Sequence, residues 1–358
     1  MTRNDATAHH GESDASDGPV VTLAHGAGGE AMRSLVDQLA VSRFGDTAEP
    51  GTVGLRDLDD GSVHLLSGGE AVIVLTTDSH VVSPPVFPGG DIGRLSVAGT
   101  VNDLAVMGVA EPLALTCSLV VEEGTPTAEL EAIMESMRET CEEAGVAITT
   151  GDTKVMGNGE LDGPVINTTG IGELAPDAVV TDAGLSPGDS VIVSGTVGDH
   201  GIALLSEREG FDFGGGLASD VAPVNGLVAA AISAGEVTAM KDPTRGGLAT
   251  TLNEMAEKAT VGIEIEERSV PVDDATASAG EVLGIDPLSV ANEGKVVIGV
   301  APDDTEAVLA AVRDHPLGER AACIGRATAN HTGRVVLDTG FGRRYLSEPA
   351  GEALPRIC

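Results

Sequence analysis

From residue 71 onward, short apolar runs suited to strands alternate with longer runs whose apolar residues recur at helical spacing. "AVIVLTTD" (71–78) and "PLALTCSLVVEE" (112–123) read as strands. "DIGRLSVAGTVNDLAVMG" (91–108) and "PTAELEAIMESMRETCEEAG" (126–145) read as helices. The second opens with Pro126 in its first turn and closes at Gly145. "VAITTGD" (146–152) and "GPVINTTGIGEL" (163–174) add strands. This alternation predicts an α/β fold, with helices covering the faces of sheets.

"LSPGDSVIVSG" (185–195) restarts the pattern with a Pro-Gly turn and an apolar strand. Helix-like "VNGLVAAAIS" (224–233), strand-like "VTAMKD" (237–242) and helix-like "GGLATTLNEMAEKA" (246–259) follow. Strands at 295–302 and 321–327, with a helix between them, complete the series. At 358 residues the chain exceeds one small core. We divide it into an acidic, disordered arm (1–19), a first domain (20–178), a second domain (179–340) and a tail (341–358) that has lost periodicity.

Acidic residues number 56 against 20 basic ones, a formal net charge of -36. Such a surface repels nucleic-acid phosphates and anionic lipid, and no basic run relieves it. Self-repulsion on this scale calls for screening salt, whose Debye length falls to about 3 Å at 1 M. The expectation is a cytoplasmic protein of a salt-loving cell. Apolar runs such as "AVIVL" are too short to span a bilayer, and the polar N-terminus has no signal-peptide core. His9 and His10 in that arm read as solvated rather than metal-binding. Cys117, Cys141, Cys323 and Cys358 show no C-x-x-C spacing, so neither a zinc site nor a disulfide framework is indicated.

The chain holds only four lysines, and Lys154, Lys241 and Lys295 lie in "GDTK", "KDPTRGG" and "NEGK". Asp78 closes one strand, Asp152 follows another, Asp91 stands at a helix start, and Asp103 lies a turn or so into that helix. Carboxylates at such loop edges can hold Mg²⁺ beside substrate phosphates. The alternatives are plain: Asp91 as a helix N-cap, Asp78 and Asp152 as strand ends. "AHGAGG" (24–29) precedes a helix-like run, so its backbone N–H groups can close on an anion, although no Walker Lys-Ser/Thr follows. The final residue is Cys358, either an accident of where the chain stops or a thiol on a tether. Twelve residues separate it from Leu346, a reach on the order of 40 Å when extended. Pro355 stiffens that end, Ile357 offers an apolar anchor, and Arg356 can meet carboxylates.

In order, "LAHGAGG", "TTDSHVVSPPVFPGGDIGRL", "GTVNDLAVMG", "GDTKVM", "KDPTRGGLA", "ANEGK" and the terminal "PRIC" resemble the hydrogenase maturation family HypE, from about residue 20 to 358. The glycine and aspartate strings also run, in varied form, through the PurM-like superfamily of aminoimidazole ribonucleotide synthetase. The ending Pro-Arg-Ile-Cys is specific to HypE. The resemblance implies two α/β domains, a homodimer whose N-terminal domains share a β-barrel, and ATP with Mg²⁺ in the groove beside it. It implies a carbamoyl dehydratase: the carbamoyltransferase HypF loads Cys358, and ATP drives dehydration of the S-carboxamide to a thiocyanate. The cyano group then passes to iron on the HypC–HypD scaffold, as a ligand for [NiFe]-hydrogenase.

By the same resemblance Asp78, Asp91 and Asp152 line the ATP–metal site, with Asn102 and Asp103 nearby. Gly26, Gly28 and Gly29 of the loop, and Lys241, Asp242 and Arg245, would contact phosphates or the lid around them. Lys154 and Glu293 would serve the thiocarboxamide, Glu293 as base and Lys154 as steadying charge, or with roles exchanged; a mutual salt bridge is the structural alternative. Two rivals stand beside this reading. One is another superfamily enzyme, a thiamine-monophosphate kinase or selenophosphate synthetase; the other is a non-catalytic adaptor whose tail docks on a partner.

Overall fold

The computed structural model describes residues 20–26, 29–45, 52–211, 216–349 and 357–358. The arm assigned to 1–19, Gly28, Pro355 and Arg356 lie outside these residues. α1 (Gly29–Val36) runs through a π-type turn (Asp37–Val41) into α2 (Ser42–Phe44). β1 (Ser62–Leu65), β2 (Val72–His80), the short β3 (Val86–Phe87) and β4 (Gly90–Asp91) follow, and then α3 (Ile92–Val106). β5 (Ala114–Glu122), α4 (Thr127–Ala144), β6 (Ile148–Met156) and β7 (Val165–Leu174) complete the first half.

Five of these strands form a sheet in the order β1-β2-β7-β5-β6. All its pairs are antiparallel except β5 with β6, which α4 joins by the crossover that parallel neighbours need. The sheet is open, with β1 and β6 at its edges, so the barrel implied by the resemblance is not closed within one chain. Every residue of β6 is exposed. α3, apolar around its circumference, is buried along nearly its whole length, as such a helix must be.

The second half carries β8 (Ser190–Val193), α5 (Asp199–Glu209), α6 (Asn225–Ala234), β9 (Val237–Lys241), α7 (Gly247–Lys258) and β10 (Gly262–Glu266). α8 (Asp274–Leu283), β11 (Val297–Val300), α9 (Thr305–Asp314), β12 (Ala322–Thr328), β13 (Arg334–Asp338) and β14 (Arg343–Leu346) follow. The seven-stranded order is β14-β13-β10-β12-β8-β11-β9. Alternate residues of β8 face opposite ways. Val191 and Val193 join Leu248, Leu252 and Met255 of α7; Ile192 joins α6 and α9 through Leu227, Val228, Val308 and Val312.

A third apolar cluster crosses between the halves. Ile92, Leu95, Ile133 and Ile166 from the first meet Ile202, Leu204 and Val290 from the second, and Ile357 from the chain end. One boundary needs correction: residues 343–346, assigned to the tail, form β14, paired antiparallel with β13. Arg343, Arg344 and Tyr345 are exposed there, so this edge strand lacks the apolar alternation that would mark it in sequence.

Candidate active site

A cavity of about 1080 Å³ opens between the halves, lined by Gly29 and Arg33 of α1, by residues 54–62, and by Lys241, Asp242, Thr244 and Arg245. Its volume is of the order that takes a nucleotide-sized ligand. Carboxylate oxygens of Asp60, Asp103 and Asp242 lie within 4.8 Å of one another. Lys241 donates to Asp60 Oδ1 at 2.7 Å, and Thr76 donates to Asp103 Oδ2 at 2.8 Å. The remaining oxygens Asp60 Oδ2 and Asp242 Oδ2 are buried with no hydrogen-bond partner.

Burial, then the charges of Asp60 and Asp78, push the Asp242 carboxyl up to about 8, against Lys241 and Arg245. Asp103 is held well above the usual range by burial and by Asp242, Asp78 and Asp60. Such crowding is unfavourable without a cation. Three hard oxygen donors, two of them with an orphaned atom, fit a divalent ion such as Mg²⁺.

Beside this cluster "KDPTRGG" turns into α7. Gly246 and Gly247 sit consecutively in the left-handed region at φ +77 and +61, where a Cβ would meet Thr250 Oγ1 at 2.1 Å and the Val290 carbonyl at 2.3 Å. The turn therefore requires both glycines. It aims the α7 N-terminus, with the buried, unpartnered Thr250 Oγ1, at a cavity that Thr250 and Thr251 also line. A helix start with a spare hydroxyl favours phosphate.

Arg245 lines the same cavity and reaches the chain end, its Nη1 donating to Cys358 Sγ at 3.6 Å. The Val81 amide donates to the main-chain oxygen of Cys358 at 3.2 Å. Burial pushes the thiol up to about 12; Arg245 opposes this, while Glu293 and Asp78 add to it. Arg245 in turn is raised above its ordinary value, chiefly by Cys358 and further by Asp78, Glu293 and Asp103. Glu293 is held well above the carboxylate range by burial, then by Asp242, Asp220 and Asp78, and its Oε1 has no partner.

The residues singled out in sequence thus divide. Gly29, Lys241, Asp242 and Arg245 line the cavity; Glu293, Asp78 and Cys358 gather around Arg245. Asp78 Oδ2 lies 3.3 Å from His80 Nε2. Gly26, itself exposed, ends a 3-10 turn (Leu23–Gly26) and is not among the residues lining this cavity. Three residues assigned to the ATP–metal group lie outside the lining of this cavity. Asp91 is the N-cap of α3, its Oδ1 accepting from the Arg94 amide at 2.8 Å. Asp152 is exposed on β6 and pairs with Lys154 at 2.6 Å. Asn102 is buried and spends its amide on backbone: Nδ2 donates to Ala222 and Glu293 carbonyls, and Oδ1 accepts from the Val224 amide. Its task is to hold the Glu293 loop.

Lys154, on exposed β6, makes its ion pair with Asp152, so the mutual bridge with Glu293 is not the arrangement seen. Asp60 escaped sequence reading, though "DLDDG" carried a signal: adjacent aspartates before a glycine. Asp103 was placed near the site and proves part of the cluster. Lys258, outside the glycine-bearing strings, joins Lys241 on buried Asp182, at 2.6 and 3.2 Å.

The family model described as AIR synthase related protein, N-terminal domain, matches residues 58–174, and its C-terminal domain counterpart matches 186–338. A carbamoyl dehydratase HypE of Rhizobium leguminosarum bv. viciae is 47% identical over 342 residues, 94% of this chain and 95% of that one. A crystal structure of a HypE–HypF complex superposes with a TM-score of 0.80 at 41% identity, covering 90% of this chain and 100% of that one. HypE in complex with ATP superposes at 0.78, also with 41% identity, covering 95% and 100%.

Proposed function

The chain belongs to the HypE family of carbamoyl dehydratases, and from that premise we propose that it uses ATP to dehydrate a carbamoyl group carried on Cys358 to a cyano group. The observation that carries this reading is the position of Arg245, at once a wall of the nucleotide-sized cavity and the neighbour of the terminal sulfur. One cation there faces both the phosphate donor and its acceptor.

The S-carboxamide oxygen displaces ADP from the γ-phosphorus, and expulsion of that oxygen as phosphate leaves the nitrile. Overall, R–S–CO–NH₂ and ATP give R–S–CN, ADP, phosphate and a proton. Both nitrogen protons leave, one to solvent and one on the phosphate. Phosphoryl transfer of this kind asks chiefly for alignment and charge stabilisation. Arg245 steadies the negative charge that builds on the carbamoyl oxygen. Glu293, whose affinity for protons is raised by burial and whose Oε1 has no partner, takes the proton from nitrogen. Asp60, Asp103 and Asp242 would hold Mg²⁺, which when bound neutralises phosphate charge. The α7 N-terminus and Thr250 bind phosphate oxygens. The buried Ile357 beside the sulfur helps to exclude water, which would otherwise take the phosphoryl group.

The same reading makes HypF the loading partner and HypC–HypD the iron-bearing acceptor, with two copies of this chain paired. Exposed β6 and the uncovered Leu75, Val155 and Met156 supply an edge and apolar surface suited to that pairing. Lys154 rides on that edge. We place the work in the cytoplasm, and no helix among the described residues is long and apolar enough to cross a membrane. Mass spectrometry tests the proposal directly. After incubation with HypF, carbamoyl phosphate and ATP, the Cys358 peptide should gain a carbamoyl group and then lose one water. A carbamoyl adduct that survives excess ATP and Mg²⁺ unchanged would refute it.

A further inference from the structure

His200 has no part in the chemistry above, yet it is completely buried in the first turn of α5 and touches the chain end. Its Nδ1 lies 2.7 Å from Ser219 Oγ, and its Nε2 lies 2.8 Å from the Ile357 carbonyl oxygen. Ser219 Oγ already accepts the Val221 amide at 3.1 Å, so its own proton is available to Nδ1. That leaves Nε2 carrying the hydrogen, which it donates to the tail. Phe87 meets the ring edge-on, with centroids 5.4 Å apart. The imidazole is therefore fixed in tautomer and in plane, and burial lowers its affinity for a further proton.

On the far side of the last peptide unit, the Val81 amide holds the main-chain oxygen of Cys358. The last two main-chain oxygens are thus gripped from opposite halves of the molecule, with the buried Ile357 side chain as an apolar plug between them. Both polar contacts read backbone, so they survive whatever group the sulfur carries. We propose that His200 is a positioning residue for the carrier tail: its Nε2–H, working with the Val81 amide, docks the chain end so that the Cys358 sulfur faces Arg245. The consequence for turnover rests on the dehydratase reading; the docking itself does not.

A docked thiol stays protonated and unreactive, so alkylation of Cys358 counts the tails that have left the site. Native full-length protein is treated with iodoacetamide, and the Cys358 peptide is followed by mass spectrometry. Carbamoylated protein is then given ATP in a single turnover. Losing a hydrogen bond to a buried carbonyl predicts alkylation of His200→Ala about tenfold faster than wild type and dehydration about tenfold slower, with the KM for ATP unchanged. His200→Gln, whose amide nitrogen can reach the Nε2 position, should recover much of both losses, and His200→Asn, which mimics Nδ1, should not. Ser219→Ala, which releases the tautomer, should fall between, and it carries the same test if His200→Ala fails to fold. Equal alkylation of wild type and these variants, or equal rescue by Asn and Gln, overturns the proposal. Faster alkylation where not even wild type dehydrates would instead leave the clamp standing and remove the dehydratase reading.

Discussion

Burial and the neighbouring Glu293 and Asp78 raise the docked Cys358 thiol to about 12 despite Arg245, whereas a free cysteine loses its proton near 8.5. A thiol whose docked pKa is raised binds its proton more tightly in the site. Docking is therefore fully favoured below about pH 8.5 and weakens as pH rises from there toward 12. The protection of Cys358 from alkylation, relative to a peptide with the same ending, should fall about tenfold per pH unit above 8.5. Protection that stays constant from pH 7 to about 11 would contradict this. The acid cluster makes a second expectation at this scale. Asp103, held protonated well above its usual range by burial and by Asp242, burdens the fold when it ionises. Asp103→Asn should raise the melting temperature of metal-free protein while weakening Mg²⁺ binding by titration calorimetry at least tenfold. Lower stability together with unchanged Mg²⁺ affinity would argue against a metal role. Sequence exposed Asp103, Asp242 and Cys358 as candidates because each sits in a distinctive string. It could not rank them above Asp91 and Asp152, since whether a carboxylate caps a helix or faces a cavity depends on backbone direction.

Among the elements α3 carries the connection between the halves. It packs on the five-stranded sheet through Leu104 and on the second half through Ala105 and Val106, and Asn102 stitches it to the Glu293 loop. Asn102→Ala leaves the Ala222 carbonyl and the Val224 amide without a partner in a dry interior and strips the Glu293 carbonyl of its shorter bond, a cost of about 3 kcal/mol. Chemical denaturation should show that loss, and ATP turnover should drop with it because the Glu293 loop loses its anchor. A variant of wild-type stability would mean that water substitutes for the amide. α3, α4 and β2 were legible within a residue or two, because their apolar periods and end signals agree. α5, α8, β1 and β10 were not recognised. Short elements whose burial comes from distant neighbours carry weak periodicity of their own, and Gly262 in β10 packs a Cβ position 1.8 Å from the Asn330 carbonyl, a fit no local rule foresees.

The whole molecule is governed by its charge and by its open sheet. With a formal net charge of -36, repulsion should weaken the fold in dilute buffer. The melting temperature should climb as potassium chloride is raised toward about 1 M, where screening falls to roughly 3 Å. A melting temperature that falls over that range would remove the salt-loving reading. On the proposed pairing of two copies through β6, Val155→Asp, at an exposed position of that strand, is expected to shift sedimentation from dimer to monomer. An unchanged dimer would move the interface elsewhere.

Sequence by itself determined the α/β architecture, the family and Cys358 as a candidate. These follow from apolar period, from fixed strings and from the order of residues, all of which are local. Only tertiary structure decided which carboxylates share a cavity, that Arg245 stands between that cavity and the sulfur, and that His200 meets the chain end. Asp60 and Asp242, or His200 and Ile357, lie far apart along the chain and come together only when the two halves pack and bury their common apolar surface. Charges brought together by that packing are a property of the packed molecule, and no shorter segment contains them.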